Sequence, residues 1–252
     1  LSALPLIGDA KATLQMLTED LDYTASDDFK SEIVNRKEDW NNELERVISI
    51  DEGGLMQQPK VLGMVNEAAG KKSTVVCAAG SLPGDLHKLW KSYEPEGYHL
   101  EYGYSCMGYE IAGGLGVKMA HPDREVVVMV GDGSYQMLSS ELITSIQEGL
   151  KITVVLLDNR GFGSIGSLSE SVGSEAFGTN YRFRNEESGE LDGGVLPLDL
   201  AMNAKSYGVG VQEVDSYDEL EQALQKAKHA EKTQVIVAQV DKEQKVPGYS
   251  SW

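Results

Sequence analysis

Asp132 and Asn159 are the two side chains whose type and spacing first suggest chemistry. Each follows a short apolar run: Glu125 to Val130 (EVVVMV) leads into Gly131-Asp132-Gly133-Ser134, and Ile152 to Leu157 (ITVVLL) leads into Asp158-Asn159-Arg160-Gly161. Continuous apolar runs of this length predict strands buried on both faces, as in a parallel sheet. Between them, Gly131 to Gly133 supply a tight turn and Met137 to Leu150 places Leu138, Leu142, Ile146 and Leu150 on one helical face. The two oxygen-bearing side chains therefore lie side by side at the carboxyl edge of a parallel sheet, beside a helix amino terminus. Such a terminus attracts phosphate through its free N–H groups and its dipole. Carboxylate and amide oxygens suit Mg²⁺ or Ca²⁺ shared with phosphate oxygens. The unit reads as a metal–diphosphate clamp.

The elements that must position this clamp alternate between strand and helix. Residues 1 to about 50 are helix-rich and polar, with Ile7-Gly8-Asp9 before a helix from Ala10 to Leu21 and an amphipathic helix from Trp40 to Ile48. Gln58-Pro59 opens a helix through Ala69, where proline is tolerated in the first turn and Gly70 ends the run. Ser73 to Ala78 is a predicted strand leading into a loop from Ala79 to Gly84, and Gly103 to Ala120 a helix of small residues. Gly166 to Gly194 is rich in glycine and charge with little periodicity, a composition that implies mobility. Leu198 to Tyr207 reads as a helix and Val209 to Val214 as a strand. Ser216 with Glu219 forms a capping box for a helix from Tyr217 to Ala230, and Gln234 to Val240 is the last strand. The pattern predicts an α/β fold with a largely parallel sheet flanked by helices, divided into residues 1–50 and 51–252.

Bulk properties narrow the function classes. With 22 basic and 40 acidic side chains among 252 residues the net charge is −18, which disfavours nucleic acid and anionic membrane as partners. No apolar run reaches membrane-spanning length and no signal segment opens the chain. Cys77 and Cys106 sit in apolar or small-residue surroundings and read as two buried, reduced thiols of a cytoplasmic protein. No two of the four histidines have metal-ligand spacing, so zinc has no support; His121 and His229 read as caps near helix ends, and His87 and His99 are nearest the clamp in sequence order. Gly161-Phe-Gly-Ser-Ile-Gly166 is a literal GxGxxG after a strand. The stretch that follows it lacks a clean helical face and a second strand, which argues against a nicotinamide cofactor and for a mobile loop.

The GDG run with its later Asn resembles the fingerprint of the thiamine diphosphate (ThDP) superfamily of acetolactate synthase and pyruvate decarboxylase. That resemblance implies a ThDP diphosphate-binding domain over 51–252, preceded by the end of a central domain and linker helices over 1–50. It implies that Asp132 and Asn159 give side-chain oxygens, and Gly161 its carbonyl, to Mg²⁺. Gly80, Ser81, Gly131, Gly133 and Ser134 would surround the diphosphate, with the amides of Gly133 and Ser134 facing it. Met107 would prop the cofactor in a bent conformation. One departure is Asp158, where the family often has Asn; it leaves the ligand position intact and adds a negative charge.

Several longer runs are more specific: Leu82-Pro-Gly-Asp-Leu, Tyr98 to Gly113 (YHLEYGYSCMGYEIAG), Tyr181-Arg-Phe-Arg-Asn, Leu191-Asp-Gly-Gly and Ser250-Ser-Trp252. These resemble the branch of the superfamily that opens a trihydroxylated cyclohexane-1,2-dione with water, giving 5-deoxyglucuronate in myo-inositol catabolism. The resemblance implies a cyclic diketone substrate and a homo-oligomeric full enzyme. It also implies an activating Glu on a pyrimidine-binding domain of the same or a partner subunit, so that no catalytic residue is assigned here. On this reading the chain opens in midstream as a carboxyl-terminal fragment, inactive alone, and the family chain continues past Trp252. Arg182 and Arg184 are candidate substrate contacts by position. Three other readings remain: an acetolactate synthase-like carboligase, a nicotinamide oxidoreductase, and a domain that kept the fold without its cofactor.

Overall fold

The computed structural model describes residues 3–242. They fall into two compact units that divide between Leu44 and Glu45. The first carries helix α1 (Ala10–Asp20), whose N-cap Asp9 accepts from the Ala12 N–H at 2.8 Å, and most of α2 (Asp27–Ile48). Helix α2 begins well before Trp40, where the sequence pattern placed its start. Ser26 Oγ accepts from the Phe29 N–H at 3.2 Å, Asp27 and Asp28 complement the dipole of the first turn, and Glu32 pairs with Arg36 at 2.7 Å. Capping and charge start this helix, while its apolar pattern becomes visible only later.

The second unit follows the order α3 (Gln58–Ala69), β1 (Ser73–Cys77), α4 (Ser81–Leu89), β2 (Tyr98–Leu100), α5 (Tyr109–Ala120), β3 (Glu125–Gly131), α6 (Asp132–Met137), α7 (Glu141–Gln147), β4 (Thr153–Asp158), α8 (Gly163–Ser171), α9 (Leu200–Ser206), β5 (Gly210–Val214), α10 (Tyr217–Lys228) and β6 (Gln234–Gln239). The strands form one six-stranded sheet in the order β2-β1-β3-β4-β6-β5 with every pairing parallel. Strands β1, β3, β4 and β6 are buried along nearly their whole length, whereas the edge strands β2 and β5 are only partly covered. That contrast is the one between central and edge strands of a sheet covered on both faces. Val76, Val128, Val154 and Val235 from four adjacent strands join Ile111, Leu115, Tyr135 and Leu142 from the helices in one apolar cluster. Each such side chain contributes about 1.5–3 kcal/mol by leaving water.

Four local predictions need correction. Helix α5 starts at Tyr109 rather than Gly103, because Ser105 and Gly108 both take left-handed backbone conformations (φ +55° and +91°). The helix expected over 137–150 is confined to α7, after a break at 138–140, and α6 begins at Asp132 inside the tight turn expected over 131–133. Leu142 alone of its four apolar positions is fully buried, while Leu138 and Ile146 stay over a third exposed. Ser81 to Gly84 form the first turn of α4, not a loop. The capping box at α10 is incomplete: Glu219 Oε2 accepts from the Asp215 N–H at 3.2 Å, and the Ser216 side chain makes no cap bond.

The 166–194 stretch, read as having little periodicity, contains regular structure. Helix α8 covers its start, and antiparallel bridges pair Gly161 with Asn180 and Arg182 with Val195. The Phe183 N–H donates to the Gly194 carbonyl at 2.8 Å and the Leu196 N–H to the Tyr181 carbonyl at 2.9 Å. Cys77 is buried as expected but Cys106 is exposed; neither is in a disulfide. His121 and His229 are the C-cap residues of α5 and α10. The Ser250-Ser-Trp252 run lies outside the described residues.

Candidate functional site

Crossing from β1 to β2 takes the chain toward one edge of the sheet, and passing from β3 to β4 takes it toward the other. Direction therefore switches between the neighbouring strands β1 and β3, and such a point opens a crevice outside the carboxyl ends of the strands. A cavity of about 340 Å³ sits there. Its wall comes from the segments after β1 (Ala79 to Pro83), β3 (Gly131 to Ser134) and β4 (Asn159 and Gly161 to Ile165), with Gln58, Tyr102, Ser105, Met107, Leu157 and Leu168 completing it. All nine residues expected to bind the cofactor or metal line it: Gly80, Ser81, Met107, Gly131, Asp132, Gly133, Ser134, Asn159 and Gly161. Neither Arg182 nor Arg184 does; Arg182 Nη1 donates to the Gly193 carbonyl at 3.1 Å and Arg184 to that of Gly189. His99 is bound instead to the Tyr109 hydroxyl (2.6 Å) and His87 to that of Tyr98 (3.2 Å).

Asp132 is 1% exposed, and its carboxylate spans the two turns: Oδ1 accepts from its neighbour Gly133 N–H at 2.6 Å and Oδ2 from the Gly161 N–H at 3.1 Å. The Gly133 amide, expected to face a diphosphate, is here engaged by Asp132. Burial, then the nearby Asp158 carboxylate, push Asp132 up to about 7 against these two bonds. Asp158 Oδ1 accepts from the Arg160 N–H at 3.0 Å, which holds Arg160 in a left-handed conformation (φ +60°) and turns Gly161 toward Asp132. Two glycines are demanded by close approach. A Cβ on Gly161 would run into the Thr179 carbonyl and lie 3.3 Å from Asn180 Cα; one on Gly133 would stand 2.6 Å from the Phe162 ring.

Asn159 Oδ1 is buried and has no hydrogen-bond partner. A buried acceptor left this way costs about 1–3 kcal/mol, so it marks a place built for a donor or a cation. Beside a buried carboxylate whose charge is opposed by its surroundings, a hard divalent cation satisfies both needs. Among the described residues no cluster of three or more His, Cys, Asp or Glu side chains could hold a metal. The oxygen set here is one carboxylate, one amide and backbone, which suits a cation that shares its shell with phosphate.

The Met107 wall is built differently. Glu101 accepts from the backbone N–H of Tyr104 (Oε1, 3.1 Å) and Cys106 (Oε2, 2.6 Å), and these bonds hold its carboxyl below its ordinary range. On the far side of Met107, Glu110 is 2% exposed. Its Oε1 accepts from the Ser134 hydroxyl at 2.6 Å and its Oε2 from the Gly108 N–H at 3.0 Å. The Gly108 N–H also reaches Ser134 Oγ at 2.7 Å. Burial pushes the Glu110 carboxyl up, opposed by these bonds. Sequence reasoning gave Glu110 no role, although an acid in an otherwise apolar, small-residue helix was a visible signal. It also missed Gln58, whose Nε2 donates to buried Asp85 Oδ2 at 2.7 Å, and Phe162.

A parallel sheet with a crevice at its switch point and an acid–amide pair across two turns defines a cofactor-binding α/β domain. The chain belongs to the family described as "Thiamine pyrophosphate enzyme, C-terminal TPP binding domain", which matches residues 78–238. It is 43% identical to proteins named 3D-(3,5/4)-trihydroxycyclohexane-1,2-dione hydrolase from Bacillus thuringiensis (strain Al Hakam) and Bacillus cereus (strain AH820). Those alignments take in 100% of this chain but 43% of each relative, so the chain spans less than half their length. Among solved structures, a Rhodococcus jostii RHA1 thiamine diphosphate-dependent 4-hydroxybenzoylformate decarboxylase is similar at a TM-score of 0.64 and 19% identity. It covers 76% of this chain and 34% of its own, and shares the fold.

Proposed function

We propose that this chain forms the ThDP- and Mg²⁺-binding part of an enzyme that hydrolyses a C–C bond in a cyclic 1,2-diketone. The substrate proposed is 3D-(3,5/4)-trihydroxycyclohexane-1,2-dione, opened to 5-deoxyglucuronate in the cytoplasmic breakdown of inositol. The observation that carries this reading is the 43% identity to the named hydrolases across the whole chain. The buried, unpartnered Asn159 Oδ1 beside Asp132 supports the metal.

Asp132, Asn159 and the Gly161 carbonyl would hold Mg²⁺. The turns at Gly80-Ser81 and Gly131 to Ser134 would receive the diphosphate, and Met107 would support the bend of the cofactor. Bound ThDP would supply a nucleophilic carbon and an electron sink for cleavage between adjacent carbonyl carbons. A cation held by Asp132 would compete for the carboxylate oxygens that accept from the Gly133 and Gly161 N–H groups. Leu82, Pro83, Ile165 and Leu168 give the cavity an apolar side. The activating Glu is assigned to a pyrimidine-binding domain of the same or a partner subunit, in a homo-oligomer.

The test is turnover of the cyclic dione by the whole natural protein in H₂¹⁸O, with pyruvate as the competing substrate. One ¹⁸O in the new carboxylate is expected. Acetolactate from pyruvate with no ring opening, or ring opening without label in the carboxylate, would sink the reading.

A further inference from the structure

The cavity wall at Met107 is a turn outside any helix or strand, braced ahead of Met107 by the Glu101 carboxylate. Ser105 and Gly108 are both left-handed, and the segment from Glu101 to Gly108 contains no helix or strand. After Met107 the turn is tied to the rest of the domain by three groups in a buried triangle. The Ser134 hydroxyl donates to Glu110 Oε1, the Gly108 N–H donates to Glu110 Oε2, and Ser134 Oγ accepts from that same N–H. Ser134 belongs to the first turn of α6, directly after the Asp132-Gly133 half of the clamp, and Glu110 to the first turn of α5, directly after Gly108. Gly108 is also pressed against α6: a Cβ there would stand 3.1 Å from Met137 Cβ.

We infer that Glu110 is a positioning residue that ties the Met107 turn to the clamp through Ser134, fixing the distance between the two parts of the cofactor site. The inference rests on the ThDP reading proposed above. Its chemistry is specific to a carboxylate. Both of its oxygens accept, one from a hydroxyl and one from an amide, and hydrogen bonds to an ionised acceptor are about twice as strong as neutral ones. A glutamine at 110 has one acceptor oxygen and an NH₂ group that can only donate, so it cannot accept from both the Ser134 hydroxyl and the Gly108 amide, and the Gly108 amide is left with Ser134 Oγ alone when that oxygen turns to Ser134. The triangle also commits the hydroxyl hydrogen of Ser134 to Glu110. The contribution of Ser134 to an anion in the cavity is thereby limited to its backbone, while its side chain serves as the tie.

The test uses the whole natural protein with Glu110→Gln, Ser134→Ala and Ser134→Thr. Two readouts are taken: hydrogen exchange at the Gly108 amide in the apo state, and the ThDP dissociation constant at saturating Mg²⁺. Glu110→Gln and Ser134→Ala should each speed Gly108 exchange and weaken ThDP binding by about tenfold, the equivalent of one hydrogen bond to a charged group. Ser134→Thr, which keeps the hydroxyl, should restore both to within about threefold of wild type. Combining Glu110→Gln with Ser134→Ala should add little to either alone, because both cut the same tie. Wild-type exchange at Gly108 in both single variants would overturn the tie, and so would wild-type ThDP affinity in both. Should Glu110→Gln fail to fold, Ser134→Ala, which removes a single hydroxyl, carries the same test. Failure of the unsubstituted protein to bind ThDP would refute the cofactor reading instead, and Gly108 exchange would still decide whether the triangle holds the turn.

Discussion

Asp132 and Asn159 ride on the ends of two central strands that pair directly, Gly131 beside Leu157, whereas Met107 rides on a turn that belongs to no regular element. The first region is fixed by the sheet. Its side chains point where strand geometry sends them, and the price is a buried carboxylate with opposed charge and an amide oxygen without a partner. The second region is fixed by side chains. Glu101 holds two amides before Met107, and Glu110 with Ser134 holds the one after it. A sheet-borne site tolerates changes nearby but not in its turns; a side-chain-borne site should fail one bond at a time.

The sharpest way to break that contrast is Gly161→Ala. The added Cβ meets backbone, at the Thr179 carbonyl and Asn180 Cα, and backbone cannot rotate away. Overpacking of this kind costs about 1–3 kcal/mol, so urea unfolding should show a loss near the upper end, together with weaker binding of the proposed Mg²⁺. A variant as stable as wild type would mean the clamp turn is looser than the sheet that carries it.

The clamp was legible in the sequence for the same reason that it is rigid. Strands β3 and β4 are continuous apolar runs, and Asp132 and Asn159 fall directly at their carboxyl ends, so local pattern placed both. Helix α3 was read to the residue from Gln58-Pro59 and Gly70. The Met107 turn was not legible. Small and apolar residues continue helix-compatible through Gly103 to Gly108, and the left-handed turn that interrupts them is held in part by a bond to Ser134 in a different element. The same limit hid the break between α6 and α7, since nothing local says that Leu138 stays partly exposed while Leu142 reaches the core. In the 166–194 stretch, order comes from pairings such as Arg182 with Val195, which leave no period in the sequence. Gln58 escaped notice as a cavity residue because a helix-opening glutamine has no signature of its own.

A second, smaller effect separates the regions by pH. The carboxyl of Asp132 is raised in the folded protein from its ordinary value of 3.8 to about 7. Folding therefore favours its protonated form. In the metal-free protein that stability is fully present below about pH 4 and is lost as pH rises through 7. Thermal unfolding in EDTA should show the melting temperature falling across this window, with the slope reduced in Asp132→Asn and by excess Mg²⁺. A flat profile in EDTA would show that the clamp carries no such strain.

The smallest effect is expected at Glu101, whose carboxylate is solvent-exposed and whose bonds compete with water. Glu101→Gln should change exchange at the Tyr104 and Cys106 amides by no more than about threefold, against about tenfold at Gly108 in Glu110→Gln. Equal effects would erase the distinction between an exposed brace and a buried tie.

Calorimetric titration of the whole natural protein with ThDP, with and without Mg²⁺, and again on Asp132→Ala and Asn159→Ala, bears most directly on the central claim. Binding that requires Mg²⁺ and weakens by on the order of 100-fold in each variant, as loss of a metal-centre group typically does, is the predicted result. ThDP binding that ignores both Mg²⁺ and the two substitutions would contradict the clamp.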